Sequence, residues 1–221
     1  MKVNRSFFDL NSPFIVAVDG DAASGKGTFC RKLANEYNLF YCQTSIFYRK
    51  LAKIAIDMGV TDTADLVELT KQKDFGLVQN KDIYSEDVSK KASIIASIGE
   101  VREAINLPQR KLLLQHKRII MEGRDIGTVI APNADFKLYF TADVDIRSKR
   151  RFVELLEKDP NITFEVVKNN IMERDNMDKK RKNAPLSIAA DAVVIDSSKL
   201  DADQVYGKVL EFLRRNYSHL V

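Results

Sequence analysis

Hydrophobic and polar positions follow two periods along this chain, and the two alternate. Phe14-Ile-Val-Ala-Val-Asp19 is a short, β-branched, almost unbroken apolar run that stops at a glycine, the pattern of a strand covered on both faces in a parallel sheet. After the loop Gly20 to Gly25 the period lengthens. From Thr28 to Tyr37, Phe29, Leu33 and Tyr37 recur every four residues while Arg31, Lys32, Asn35 and Glu36 fall elsewhere, which predicts an amphipathic helix. Leu39 to Cys42 repeats the strand pattern, and Ser45 to Met58 the helical one, with Phe47, Leu51, Ile54 and Met58 in a stripe. Further strands are predicted at Arg118 to Glu122, Phe136 to Thr141 and Ala192 to Asp196, and helices at Asp145 to Glu157, Thr163 to Lys182 and Ala202 to Asn216. Such alternation implies an α/β fold, a parallel sheet wrapped by helices. Val60 to Glu86 is polar and is expected to form a small insertion within one domain spanning residues 1–221.

Composition narrows the class. With 221 residues, 45% hydrophobic and 30% charged, the chain can bury a sizeable core, so a disordered tail and a collagen-like fibre are excluded. Cys30 and Cys42 lie in no CxxC pair and are expected to be reduced thiols rather than a disulfide or zinc site. Met1 to Pro13 has no apolar core of a secretory signal, and no apolar run approaches the ~18 residues of a membrane-spanning helix. A cytoplasmic protein, acting as a monomer, is expected. Its 35 basic and 31 acidic residues leave a net charge of +4, which favours anionic partners without demanding a nucleic acid.

The strongest motif is Gly20-Asp-Ala-Ala-Ser-Gly-Lys-Gly-Thr28, a GxxxxGK sequence between a predicted strand and a predicted helix. In such a loop successive backbone N–H groups converge on phosphate oxygens, the helix N-terminus adds partial positive charge, and Lys26 reaches the β/γ-phosphates. A P-loop NTPase-type sheet is therefore expected. Gly27 follows Lys26 where many such loops carry a metal-ligating hydroxyl, and the hydroxyl comes one later at Thr28. Mg²⁺ is accordingly expected to be held by nucleotide and water, with no protein ligand assigned. Asn80-Lys-Asp-Ile83 lacks the carboxylate of a guanine-reading NKxD motif, which argues against a GTPase switch.

Arginines mark the other phosphate. Arg49 lies one turn into the helix after the second strand, and Arg124 and Asp125 directly follow the third. Ligands of open α/β sheets bind at the carboxyl ends of strands, so these residues should converge with the phosphate loop, and the planar guanidinium suits phosphate. A third cluster, Glu173-Arg-Asp-Asn-Met-Asp-Lys-Lys-Arg181, puts Arg174, Asp178 and Arg181 at i, i+4 and i+7, on one helical face. From Asp145 to Lys182 there are 11 Lys/Arg against 8 Asp/Glu. Such a hairpin is either a solvated face or a lid over a triphosphate, and both readings predict exposure in the nucleotide-free protein.

Taken in order, GDAASGKGT, TSIFYR around Arg49, ASIIASIGEVRE around Ser93 and Arg102, EGRDIGT, ERDNMDKKRKNAPL and ADAVVIDSS make the chain resemble the cytidylate kinases, CMP/dCMP kinases of the nucleoside monophosphate kinase superfamily, from Phe14 to about Phe212. The resemblance implies transfer of the γ-phosphoryl group of ATP to CMP or dCMP, with ATP and Mg²⁺ as the donor pair. It implies that Gly20, Asp21, Ala22, Ala23, Ser24, Gly25, Lys26, Gly27 and Thr28 hold the ATP phosphates and that Arg150 and Arg151 belong to the lid. Ser93, Arg102 and Asp125 would read the cytosine edge, Arg49, Arg124 and Arg181 would clamp the acceptor phosphate with Thr44 as added donor, and Arg174 and Asp178 would contact the ribose. Lys26, Arg124 and Arg181 would be the catalytic cations. The acceptor-binding region would span about 43–105 and the lid about 147–182. Gln43-Thr44-Ser45 departs from the family's usual Asp-Ser/Thr-Gly, and Val60 to Ser93 is too short for the β-rich insert of the bacterial members. The alternatives are another acceptor (UMP, AMP or dTMP) on the same fold, or a nucleic-acid-binding P-loop protein. A dispersed set of arginines without an aromatic stacking motif speaks against the latter.

Overall fold

The computed structural model describes residues 7–72, 81–157 and 159–217. Five strands, β1 (Phe14–Gly20), β2 (Phe40–Gln43), β3 (Arg118–Glu122), β4 (Phe136–Thr141) and β5 (Val193–Asp196), form one sheet in the order β2-β3-β1-β4-β5. Every pairing is parallel, as in Val16 opposite Ile120 on one side and Phe136 on the other. All five fall where the apolar runs predict them, within a residue or two. The chain leaves β1 outward to β2, returns through β3 and then crosses to β4. The carboxyl ends of β1 and β3 therefore flank the point where the winding reverses, where a ligand crevice is expected.

Helices cover both faces. On one, α1 (Lys26–Glu36) and α8 (Ala202–Tyr217) pack Phe29, Leu33, Tyr206 and Leu213 against Val16, Val18 and Phe140. On the other, α2 (Ser45–Met58), α3 (Thr63–Gln72), α4 (Glu86–Ile95) and α5 (Gly99–Gln115) close over Ala17, Ile119 and Met121 with Leu51, Leu66, Val88 and Ile105. The helical hairpin of α6 (Val144–Leu156) and α7 (Phe164–Lys180) has its own small apolar seam of Leu155, Val167 and Ile171. No described helix is long and apolar enough to cross a membrane.

The described residues of the segment from Val60 to Glu86, expected as a small insertion, include α3 and one turn of 3-10 helix at Lys81–Tyr84. Its residues 73–80, with part of the NKxD-like stretch, lie outside the described residues. Among those described between residues 60 and 95, no strand occurs. Ser45 opens α2 without positive φ, so the departure from the usual glycine places no strain on that turn.

Candidate active site

The loop after β1 is shaped by contacts that only particular residues allow. Gly20 has φ 139°, and a Cβ there would stand 1.9 Å from the carbonyl oxygen of Phe140, so a side chain is excluded by both backbone and neighbour. The loop then turns through Ala23 (φ 56°) and Gly25 (φ 91°) into α1. Ser24 Oγ donates to the Asp21 carbonyl at 2.9 Å, and Ser197 Oγ, beyond β5, donates to the Ser24 carbonyl at 3.0 Å. Lys26 Nζ reaches across the loop to the carbonyls of Gly20, 3.0 Å, and Asp21. Buried, and repelled by Arg124 and Arg174, it is pushed down to about 7 despite Glu122 and Asp21 nearby. An anion in the loop would restore its charge.

Ala22 through Thr28 line a cavity of about 850 Å³, and Arg150 and Arg151 face it from α6. Gly20 and Asp21 stand behind this wall instead. Gly20 packs on β4, and the Asp21 carboxylate turns to Thr141 Oγ1 at 2.7 Å and Lys179 Nζ at 2.9 Å. Arg150 is braced by Ser197 and by the carbonyl of Leu200, at 2.8 to 3.2 Å. Arg151 pairs with Glu154 on its own helix and with Glu86 across the cavity, each at 3.2 Å.

A second pocket of only about 50 Å³ is lined by Thr44, Arg49, Ser93, Arg102, Arg124, Asp125, Arg174, Asp178 and Arg181. These are the nine residues that the resemblance assigns to the acceptor, drawn from five separate segments of chain. The pocket is full of charge pairs. Arg124 Nε meets Asp178 Oδ2 at 2.8 Å, Arg181 reaches Asp178 at 3.4 Å and Asp125 at 3.8 Å, and Arg102 pairs directly with Asp125. Burial alone would raise the Asp178 carboxyl, but Arg124, Arg174 and Arg181 outweigh it and hold it below the usual range. Arg49 donates to Ser89 Oγ at 2.8 Å and to the Ile83 carbonyl at 3.0 Å. Burial, with repulsion from Arg174 and Arg151, pushes its guanidinium down to about 9, and burial beside Arg124 takes Arg174 to about 10. Arg102 Nε and Arg174 Nε are buried donors without a hydrogen-bond partner. Positive charge thus exceeds what the local carboxylates neutralise, and buried donors await acceptors.

Two expectations are corrected. The hairpin face carrying Arg174, Asp178 and Arg181 is not exposed. It is turned inward, with Asp178 only 7% accessible, because its charges pair with Arg124 and Asp125 at the end of β3. Arg181 also lies one residue past α7, in extended backbone (φ −60°, ψ 142°), and still reaches the pocket. Several residues escaped notice in the sequence. Arg147, counted only in the basic surplus, is buried, donates to the Ala22 carbonyl at 3.1 Å and pairs with Asp175, which accepts from Ala22 N at 3.3 Å. Asp19 accepts from Ile126 N and Gly127 N at 2.8 and 2.7 Å, and burial takes its carboxyl up to about 6 against those two bonds. Glu122, quoted within EGRDIGT without a role, lies beside Gly27 and accepts from Tyr41 OH.

Among the described residues no group of three or more His, Cys, Asp or Glu is arranged to cage a metal. A Cβ on Gly27 would stand 3.3 Å from Glu122 Oε2, so this glycine leaves the carboxylate open to the cavity beside the exposed Thr28. That donor set, oxygen only and few in number, fits a hydrated Mg²⁺ that phosphates share.

A parallel sheet with a GxxxxGK loop at its winding reversal, a large cavity over that loop and a cationic pocket beside it define a P-loop kinase. Solved structures support the fold. An uncharacterized protein from Eubacterium ventriosum matches with TM-score 0.54 at 17% identity, covering 93% of this chain and 100% of that one. A gluconokinase from Sinorhizobium meliloti matches with TM-score 0.51 at 11% identity, covering 98% and 97%. The chain belongs to the cytidylate kinase family, whose model matches residues 16–215. It is 41% identical to a curated cytidylate kinase of Rickettsia bellii over 93% of this chain and 94% of that protein, and 43% identical to one of Rickettsia felis over 94% of each.

Proposed function

We propose that the protein transfers the γ-phosphoryl group of ATP to CMP or dCMP, giving CDP or dCDP and ADP. The observation that carries this reading is the convergence of all nine acceptor candidates on one cationic pocket beside the phosphate loop. In the reaction an oxygen of the acceptor 5′-phosphate attacks the γ-phosphorus in line, and the bond to the β,γ-bridging oxygen breaks. The acceptor oxygen is already anionic, so no side-chain base is needed. Lys26 follows the β/γ-phosphates, while Arg49, Arg124 and Arg181 hold the acceptor phosphate and neutralise charge as it shifts to the leaving group. Arg150 and Arg151 bind the donor from the lid, residues 147–182, and residues 43–105 form the acceptor side.

Base choice follows from hydrogen-bond polarity. Asp125 accepts from the cytosine 4-amino group while Arg102 and Ser93 donate to ring acceptors, and a uracil O4 would face the carboxylate without a proton to give. Arg174 and Asp178 take the ribose hydroxyls. Glu122 and Thr28 are the oxygen donors this chain offers to the waters of Mg²⁺, which when bound neutralises the triphosphate. A monomer acting on small nucleotides is the reading we adopt. The burial of Arg102, Arg118 and Arg147 removes them from any basic face for nucleic acid. A panel of CMP, dCMP, UMP, AMP and dTMP assayed with ATP and Mg²⁺ tests the proposal. CMP and dCMP are expected to lead, and a preference for AMP or dTMP overturns the substrate assignment.

A further inference from the structure

One face of α4 spans the whole reaction path. Glu86, Ser89 and Ser93 stand at i, i+3 and i+7, so they share a side of the helix, and all three line the large cavity. Each touches a different functional party. Ser93 borders the acceptor pocket. Ser89 Oγ accepts from the acceptor arginine, Arg49. Glu86 Oε1 lies 3.2 Å from Nη2 of the lid arginine, Arg151. Arg151 also feels like charge, since its field is one of the causes that push Arg49 and Arg174 down. Glu154 shares its own helix, so Glu86 is the carboxylate that draws it across the cleft.

We infer that Glu86 is a positioning residue that holds Arg151 against α4 and competes for it with the phosphates of the donor. This rests on the reading of Arg151 as a donor ligand. Because Glu86 is fixed to the same helix as Ser89 and Ser93, release of Arg151 is tied to the element that touches the acceptor. The pair is partly exposed, 28% and 30%, so the competition is modest, salt-sensitive and reversible. A buried pair would instead lock the lid.

The test compares Glu86→Gln, Arg151→Ala and the double variant in steady-state assays that vary ATP–Mg²⁺ at saturating CMP and CMP at saturating ATP–Mg²⁺, at low and raised salt. Glu86→Gln is expected to lower KM for ATP by about three- to fivefold with KM for CMP unchanged, and the gain should shrink as salt screens the pair. Arg151→Ala should raise KM for ATP, and in that background Glu86→Gln should change nothing further. If Arg151→Ala raises KM for ATP but Glu86→Gln leaves it unmoved or raises it, Glu86 is only a helix-end carboxylate and the inference fails while the donor reading stands. If Arg151→Ala itself leaves KM for ATP unchanged, the donor reading of Arg151 fails first. A loss of melting temperature in Glu86→Gln without a shift in KM also overturns the inference.

Discussion

At the carboxyl end of β1 the phosphate site is built from main chain, whereas at the carboxyl end of β3 it is built from side-chain charge. The first keeps its shape through backbone constraints: Gly20 pressed on Phe140, Ser24 and Ser197 fastening the loop, and one lysine laid across it. Beside it lies about 850 Å³ of cavity. The second keeps its shape through ion pairs, with Asp178 and Asp125 holding Arg124, Arg181 and Arg102 in about 50 Å³. The donor side is ready-made, because N–H groups need no counterion to stay in place. On the proposed reading the acceptor side must exchange partners, because its buried arginines are held by carboxylates and would have to be re-paired before a phosphate could be seated.

Three experiments sharpen this contrast. The largest effect is expected from Lys26→Met, which removes the ammonium laid across the main-chain cradle. A loss of about a thousandfold or more in kcat/KM is expected, read in a coupled ADP-release assay, and a variant within tenfold of the parent would take the loop out of the mechanism. Next comes Asp125→Ala. It removes the carboxylate proposed to read the base and also the partner of Arg102, so the ratio of kcat/KM for CMP over UMP should fall by about ten- to a hundredfold. An unchanged ratio would mean that Asp125 only braces arginines. The smallest is a proton count. Lys26 titrates near 7 in the protein, and a bound triphosphate would raise that value. At pH 8 the free protein holds Lys26 mostly neutral, so ATP binding should take up part of a proton, and at pH 6 Lys26 is already charged and the uptake should vanish. Calorimetry in buffers of different ionisation enthalpy reads it directly, and equal uptake at both pH values would contradict the shift.

The sheet was legible in the sequence because its central strands β1, β3 and β4 are buried on both faces and read as nearly unbroken apolar runs, while the half-exposed β2 and β5 still carry short apolar runs. Of the helices on the acceptor side, α2 was read where it stands, but α3, α4 and α5 were not. In α5 the buried positions are Val101, Arg102, Ile105 and Gln109, so two polar residues sit in the stripe that periodicity needs to be apolar, and Pro108 interrupts it further. Arg102 is there for the pocket, and it hides the helix that carries it. Motif resemblance located it anyway, since motifs record residue identity where hydrophobic period fails. Arg147 and Asp175 were missed for the opposite reason. They lie on a hairpin whose surplus of charge suggested solvent, and a buried pair reads the same as an exposed one in a single sequence.

The hydroxyl of Ser197 on the carbonyl of Ser24 joins residues 173 apart, and Arg150 is braced by the same serine. A ribosome makes Ser197 only after the phosphate loop and all five strands. The loop is therefore fully fastened only once β5 has been made, so a ligand of the loop would stabilise the completed sheet more than a chain that still lacks its last strand.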